Sequence, residues 1–271
     1  MSEKQILVDV EKALKDKTKK ENPSKILVRF LKKIAHQNDL NNFLINHPEL
    51  MGMDFLEEGL KYLQVKLEVD GIDNVPKNNR YIFVSNHPLG GLDGMAMGHY
   101  IGRQFDGKIK FLSNDLLMNL KPLHCLFVPI NKHGGQGRKS AEILNQTFES
   151  DEQLLIFPAG MVSRMQRGKI YDLEWKKTFV TKAIQYQRDI VPIFFKARNS
   201  RFFYLLANIR KALKIKLNIE MLFLVDEMFK QKNNTFKAYI GKPISWKSLD
   251  DSKSTQEWAQ HIKEEVYKLK K

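Results

Sequence analysis

The sequence predicts an α/β fold in which helices flank a mostly parallel central sheet, preceded by an N-terminal helical extension. From residue 65 onward, short apolar segments alternate with segments of helical periodicity, which is typical of helices packed on a parallel sheet. Before that point the apolar residues recur at helical spacing. No repeat, low-complexity tract or linker divides the rest. We therefore predict a helical, membrane-associating region over 1–64 and an α/β domain over 65–271.

The individual elements follow from this periodicity. Helices are predicted over residues 3–17, 24–36, 39–46 and 53–63 of the N-terminal region. Strands are predicted over 65–69, at an edge of the sheet, and over 81–84, 109–112, 126–130, 153–157, 190–195 and 235–240. The intervening helices are predicted over 92–103, 116–120, 175–187, 201–214, 219–229 and 255–270, with a further one ending near 148.

The charge of the chain restricts its partners. Its 45 Lys and Arg residues against 31 Asp and Glu residues give a net charge of +14, which favours polyanions such as nucleic acid, anionic lipid or acidic cofactors. The basic residues are scattered and no recognition motif is present, so nucleic acid is not an expected partner. The single cysteine, Cys125, excludes an intrachain disulfide and a cysteine-based zinc site. Because it precedes Leu126, Phe127 and Val128, we expect it in the core.

Two stretches combine basic and apolar residues. Residues 24–36 and 201–214 each fit either an amphipathic helix lying on an anionic membrane or a docked helix with a charged, solvated rim. No apolar run approaches the roughly 18 residues of a membrane-spanning helix, and the N-terminus has no apolar signal region. We expect a peripheral protein on the cytoplasmic side of the inner membrane.

The most informative stretch is residues 81–94. An apolar strand ends in Ser85, Asn86 and His87, and a short glycine-containing loop leads to Asp93 at the start of a helix. A carboxylate can accept a hydrogen bond from one imidazole nitrogen and so hold the ring in one tautomer. The other nitrogen is then free to take a proton from a hydroxyl or amine. The alternative is structural, with Asp93 a simple helix N-cap.

Two further loops carry cations or a flexible backbone. Lys132 lies in a glycine-rich, basic loop, residues 131–140, that suits an anion. The run from Phe157 to Arg164 follows another apolar strand; Gly160 would let the backbone approach a ligand, and Arg164 can pair with a carboxylate or phosphate. A basic turn over 167–172 comes next.

These motifs resemble the signatures of the glycerolipid acyltransferase superfamily, which includes the 1-acylglycerol-3-phosphate acyltransferases. Asn86-His87-Pro88 and Asp93 resemble its His-x4-Asp block, with five intervening residues instead of four. The run from Phe157 resembles its Phe-Pro-Glu-Gly block, with Ala159 in place of glutamate. Asn131-Lys132 and the proline-containing strand 190–195 fall where the second and fourth blocks occur. In both departures, the five intervening residues and Ala159, the sequence resembles the hemolysin-like, aminolipid-forming branch of the superfamily.

The resemblance implies an O-acyltransferase in which His87 is the general base and Asp93 orients it. It implies substrate binding by a larger group of residues: Asn86, Lys132, Phe157, Pro158, Gly160, Ser163 and Arg164. The implied acceptor is a lyso-aminolipid, such as a lyso-ornithine or lyso-glycine lipid, and the donor an acyl-carrier-protein or coenzyme A thioester. No metal or further cofactor is implied. The alternatives are a lysophospholipid acyltransferase, a nucleic-acid-binding protein and a non-catalytic lipid-binding protein.

Overall fold

A computed structural model describes residues 7–18, 22–113, 120–129 and 136–270. The helices in these ranges are α1 Val10–Thr18, α2 Lys25–Ile34, α3 Gln37–Asn46, α4 Gly52–Tyr62, α5 Gly91–Gln104, α6 Gln136–Glu149, α7 Thr178–Tyr186, α8 Arg201–Ala212, α9 Leu224–Lys230 and α10 Thr255–Lys268. The strands are β1 Lys66–Asp70, β2 Tyr81–Ser85, β3 Ile109–Ser113, β4 Phe127–Pro129, β5 Gln153–Ile156, β6 Arg164–Gln166, β7 Lys169–Tyr171, β8 Asp189–Lys196 and β9 Thr235–Ile240.

Seven of the described strands form one sheet, in the order β1-β9-β8-β2-β5-β3-β4. Strand β9 pairs antiparallel with β8 and parallel with β1, so these two strands run against the other five. The remaining pairs are parallel. The structure therefore confirms a mostly parallel sheet, with β1 at one edge as the sequence predicts. Strands β6 and β7 form a separate hairpin.

Alternate residues of the central strands pack on opposite faces of the sheet, as the period of a strand requires. Ile82 and Val84 of β2 belong to a core that includes Phe148 of α6, Phe179 of α7 and Ile262 of α10; all these side chains are buried. On the other face, the rings of Tyr81 and Phe83 meet the ring of Phe105 at the end of α5. Helices therefore cover both faces, and strand β2, which leads to His87, is buried from end to end.

The chain divides into two compact units. One, which we call the helical unit, comprises residues up to Leu50 together with Asn199–Lys232; the other, the sheet unit, comprises Met51–Arg198 and Asn233–Lys271. Within the helical unit, His36 stacks on Phe229 with ring centroids 4.0 Å apart. The division between a membrane-associating region, 1–64, and an α/β domain, 65–271, stays a prediction. No helix in the described ranges combines the length and apolar composition needed to cross a membrane.

Several local predictions need correction. Cys125 is exposed, because it lies in the turn that precedes the edge strand β4 and not in the strand itself. The turn predicted over 167–172 is part of the β6–β7 hairpin, and the helix predicted over 219–229 is a 3-10 helix, Ile219–Phe223, followed by α9. Helix α1 begins only at Val10. The helix predicted over 116–120 lies largely outside the described residues.

Candidate active site

The order of the strands brings two of the sequence motifs together. Strands β2 and β5 are parallel neighbours, paired Ile82 with Leu154 and Val84 with Ile156. Parallel strands end at the same edge of a sheet, and loops at that edge commonly form binding crevices. The loop after β2 carries His87, and the loop after β5 begins with Phe157. The two rings stack, with centroids 4.1 Å apart and planes inclined by 28°.

His87 and Asp93 are in direct contact. The Nδ1 atom of His87 lies 3.1 Å from Oδ1 of Asp93, a distance at which the two form an ion pair when the imidazole is protonated. Asp93 is fully buried, whereas 18% of the His87 side chain is exposed. No described residue hydrogen-bonds Nε2 of His87. That nitrogen is therefore the one available to accept a proton from a substrate.

The backbone holds the Asp93 carboxylate in place. Oδ2 accepts the N–H of Leu89 and Oδ1 accepts the N–H of Gly94, each at 2.9 Å. Gly90, which precedes α5, has φ +85° and ψ −116°, a conformation that residues with a Cβ rarely adopt. The glycine allows a loop with five residues between His87 and Asp93 to return the carboxylate to the imidazole.

The electrostatics of the loop favour a basic imidazole. Burial alone would lower the pKa of His87, but the Asp93 and Asp172 carboxylates outweigh it, so the pKa lies above its ordinary value. Phe157 covers the ring without adding charge. The site can therefore accept a proton more readily than a solvated histidine can.

Asp172, which the sequence analysis did not select, is the second carboxylate beside His87. Its Oδ1 accepts the His87 backbone N–H at 3.2 Å and the Ser163 hydroxyl at 2.5 Å, and its Oδ2 accepts Nε1–H of Trp175 at 2.9 Å. Burial raises the pKa of Asp172, while the donated hydrogen bonds act against that rise. The only sequence signal was an acidic residue in an otherwise basic turn, three positions before a tryptophan.

Ser163 and Arg164 lie where the β5 loop enters strand β6, and both are buried. The Ser163 N–H donates to the His87 carbonyl at 2.7 Å, while its hydroxyl points to Asp172. Arg164 donates from Nη1 to the carbonyl of Val162 at 2.7 Å. The structure thus brings Ser163 into contact with the His87 loop, and its predicted role in substrate binding stays a prediction, as does that of Arg164.

Asn86 connects the end of β2 to the end of β8. Its Nδ2 donates to the carbonyl of Phe195 at 2.9 Å, and its Oδ1 accepts the N–H of Phe195 at 2.7 Å. Both polar atoms of the amide therefore hydrogen-bond to the backbone of one residue. This pairing fixes the point at which the His87 loop leaves the sheet; direct substrate contact by Asn86 remains a prediction.

The β5 loop turns tightly at Gly160. Gly160 has φ +63° and donates its N–H to the Phe157 carbonyl at 2.9 Å. A Cβ at this position would come within 3.1 Å of Nζ of Lys176, a cation that the sequence analysis did not select. Pro158 is buried beside this turn and its carbonyl accepts the N–H of Lys176. Lys132 lies outside the described residues.

Comparison with known proteins identifies relatives of the whole chain. The model of the acyltransferase family matches residues 11–271. A lyso-glycine lipid O-acyltransferase of Bacteroides thetaiotaomicron is 52% identical over 265 residues, covering 97% of both chains. A protein of the same name from Phocaeicola vulgatus is 50% identical, covering 97% of this chain and 95% of its own.

A solved structure shows the same fold at much lower identity. The 1-acyl-sn-glycerophosphate (LPA) acyltransferase PlsC of Thermotoga maritima superposes with a TM-score of 0.51 and 16% identity, covering 92% of this chain and 84% of its own. The similarity confirms the predicted fold. The family match and the relatives confirm the resemblance inferred from the His87 and Phe157 motifs.

Proposed function

Because the chain belongs to the acyltransferase family, we propose that it transfers a fatty acyl group from a thioester to the hydroxyl of a lyso-aminolipid, specifically a lyso-glycine lipid. The observation that carries this proposal is the contact of His87 Nδ1 with Asp93 at 3.1 Å, at the carboxyl edge of a parallel sheet. Two relatives about half identical over nearly the whole chain carry that acceptor in their names.

The geometry supports a direct transfer. His87 Nε2 takes the proton of the acceptor hydroxyl as its oxygen attacks the thioester carbonyl, and Asp93 stabilises the imidazolium that forms. The tetrahedral intermediate then collapses, the carbon–sulfur bond breaks, and the imidazolium returns its proton to the thiolate. No covalent acyl-enzyme is required.

The donor is proposed to be an acyl-carrier-protein or coenzyme A thioester. Both are anionic, and the net charge of +14 favours their association by long-range attraction. The predicted cations Lys132 and Arg164 would contact the phosphates of the donor or the charged headgroup of the acceptor. Arg164 is buried and directly follows Ser163, whose N–H donates to the His87 carbonyl, so it lies close to the proposed base.

We further propose that the helical unit docks on the anionic, cytoplasmic surface of the inner membrane. Helix α2 buries Val28 and Ile34 but exposes Ile26 (84%), Leu27 and Phe30. Helix α8 and the segment after it expose further apolar residues: Phe202, Leu205, Ile209, Leu213 and Leu217. We call these exposed residues the apolar surface.

The ring of Phe223 joins the two parts of the apolar surface. Its centroid lies 6.1 Å from that of Phe30 on α2 and 5.0 Å from that of Phe202 on α8. The two helices therefore contribute to one continuous patch, and Lys25, Arg29 and Lys33 lie on α2 itself. Large exposed apolar patches bordered by cations are typical of membrane-binding surfaces. Phe203, by contrast, is fully buried.

Reconstitution tests the proposed reaction. Purified protein would be mixed with vesicles that contain anionic lipid and lyso-glycine lipid, with acyl-carrier-protein or coenzyme A thioester as donor. Mass spectrometry should detect the diacylated glycine lipid with at least one donor, and none with the His87→Ala variant. Vesicles that contain 1-acylglycerol-3-phosphate instead provide the competing acceptor. A higher kcat/KM for that acceptor would overturn the proposed specificity, and transfer to neither acceptor would overturn the activity.

A further inference from the structure

Asp172 stands out among the buried charged groups of the sheet unit because its carboxylate accepts three hydrogen bonds. Two of the donors belong to the loops that follow β2 and β5. One donor is the backbone N–H of His87, and another is the hydroxyl of Ser163. Ser163 in turn donates its N–H to the His87 carbonyl. The N–H and the carbonyl of His87 are thus both fixed, one by Asp172 directly and the other by a residue that Asp172 holds.

The core fixes Asp172 itself. Trp175, which is fully buried among the residues packed on the sheet, donates Nε1–H to Oδ2, and Tyr267 of α10 accepts the Asp172 N–H at 2.8 Å. Lys263 of α10 donates to the Asp172 and Leu173 carbonyls, each at 2.8 Å. The carboxylate is therefore a rigid connection between the hydrophobic core and the loop of the proposed general base.

We propose that Asp172 is a positioning residue for acyl transfer, which sets the place of the His87 backbone while Asp93 sets the orientation of its ring. This inference rests on the proposed function of His87. Asp172 does not contact the reacting atoms, and its effect on the reaction passes through His87. Fixed catalytic groups are worth a large rate factor, since displacement by about 1 Å can cost about 100-fold.

The same geometry gives Asp172 an electrostatic effect that a purely structural residue would lack. Among the described residues, the charged groups facing His87 are Asp93 and Asp172, and both raise the pKa of the imidazole. In the part of the chain that the structure describes, the titratable groups that interact with Asp172 are His87, Lys263, Tyr171 and Tyr267. Replacing Asp172 by a neutral isostere should therefore lower the pKa of His87.

The test variant is Asp172→Asn, examined alone and together with Trp175→Phe. The asparagine carbonyl can keep the two donors at Oδ1, but its amide N–H2 then faces the indole N–H. Trp175→Phe removes that indole N–H, so the double variant does not set two donors against each other. Tyr267→Phe is the matched control, because it removes a hydrogen bond to the same residue but leaves the carboxylate on His87.

Two measurements separate positioning from folding. We expect kcat to fall about 10- to 100-fold in the Asp172→Asn variants with KM nearly unchanged, because the base is displaced and the substrate contacts remain. The pKa of His87, followed by NMR of labelled histidine and assigned with His87→Ala, should fall in both variants. The acid limb of the kcat/KM profile should then move to lower pH. Tyr267→Phe should leave the titration of His87 in place.

The proposal is overturned if the double variant folds and keeps both the parent kcat and the parent titration of His87. Should neither Asp172→Asn variant fold, Ser163→Ala makes the same comparison: a fall in kcat at constant KM supports positioning, and a parent kcat contradicts it. The titration needs no substrate. A parent protein that transfers no acyl group would therefore refute the proposed function while the link between Asp172 and His87 is still measured.

Discussion

The His87 loop and the apolar surface of the helical unit are built on opposite plans. Around His87, each polar contact is made by a particular atom: Asp93 holds the ring, and Asp172 holds the backbone. On the apolar surface, side chains such as Ile26 and Leu213 contact little and are 84% and 66% exposed. The first region is defined by a few short distances, and the second by the total area that it offers.

The difference teaches how each region should respond to substitution. In a buried site, removing one partner leaves another group unsatisfied and displaces the reacting atoms, so a single change has a large effect. On a surface that binds a bilayer, each residue adds a modest increment, about 1 kcal/mol for a cation near an anionic surface. Single substitutions should therefore be severe in the loop and mild on the surface.

The largest expected effect is that of His87→Ala. Loss of the general base should lower kcat by about 100- to 10,000-fold. The free energy of unfolding should fall only modestly, because the loop is held through its backbone and Asp93 keeps its two backbone donors. Acyl-transfer assays and thermal unfolding measure the two quantities. A variant with the parent kcat would place the base elsewhere.

Asp93→Asn should follow closely, with kcat lowered about 100-fold or more because the imidazolium loses its stabilising charge. It should also lower the free energy of unfolding by about 1–3 kcal/mol, since the new amide N–H2 would face one of the backbone donors, Leu89 or Gly94. Chemical denaturation of the variant and its parent gives this difference. Equal stability with lost activity would mean that the loop rearranges.

Beside the apolar surface, three cations of α2 can be changed to Gln at the same time: Lys25, Arg29 and Lys33. This triple variant should bind anionic vesicles up to about 100-fold more weakly at low salt. Lys32 is left out because it pairs with Glu11 at 3.3 Å. Co-sedimentation at increasing salt provides the measurement, and the salt dependence of the variant should be flatter. If the parent protein stays in the supernatant even at low salt, the proposed docking is wrong.

The smallest effect belongs to single apolar changes on the same surface. Leu213→Ser should weaken the vesicle binding that remains at high salt by about 10-fold. This factor corresponds to the transfer free energy of a leucine side chain that is partly buried in the bilayer. Phe203→Ser is the informative contrast, because Phe203 is buried and its loss should instead destabilise the fold by about 3–5 kcal/mol. A Leu213→Ser variant with unchanged binding would remove this residue from the docking surface.

Sequence reasoning selected His87, Asp93 and Phe157 from the ends of apolar strands and from the family signatures that they resemble, and the structure brings the three side chains together. It did not find Asp172, whose contact with His87 joins residues far apart in the chain and depends on the path of the β6–β7 hairpin. A carboxylate in a short turn looks like any solvated charge until its neighbours are known.

Periodicity also could not decide which side of a helix is covered. Phe202 and Phe203 are adjacent and equally apolar, yet one is 48% exposed and the other fully buried. Helix α2 likewise buries Val28 and Ile34 but exposes Ile26, Leu27 and Phe30, and its contact with a membrane stays a proposal. Cys125 shows the converse, since the apolar run that it opens begins in an exposed turn before β4.

The order of strands in the sheet has a consequence for biosynthesis. Strand β2, which leads into the His87 loop, pairs with β5 and β8, and both are made much later than β2 itself. A nascent chain therefore emerges from the ribosome with His87, the proposed general base, long before the flanking strands, Asp172 or the partner of Asn86 exist. The segment β2 is apolar and without partners during that interval, which makes it the part of the molecule that a chaperone would need to shield.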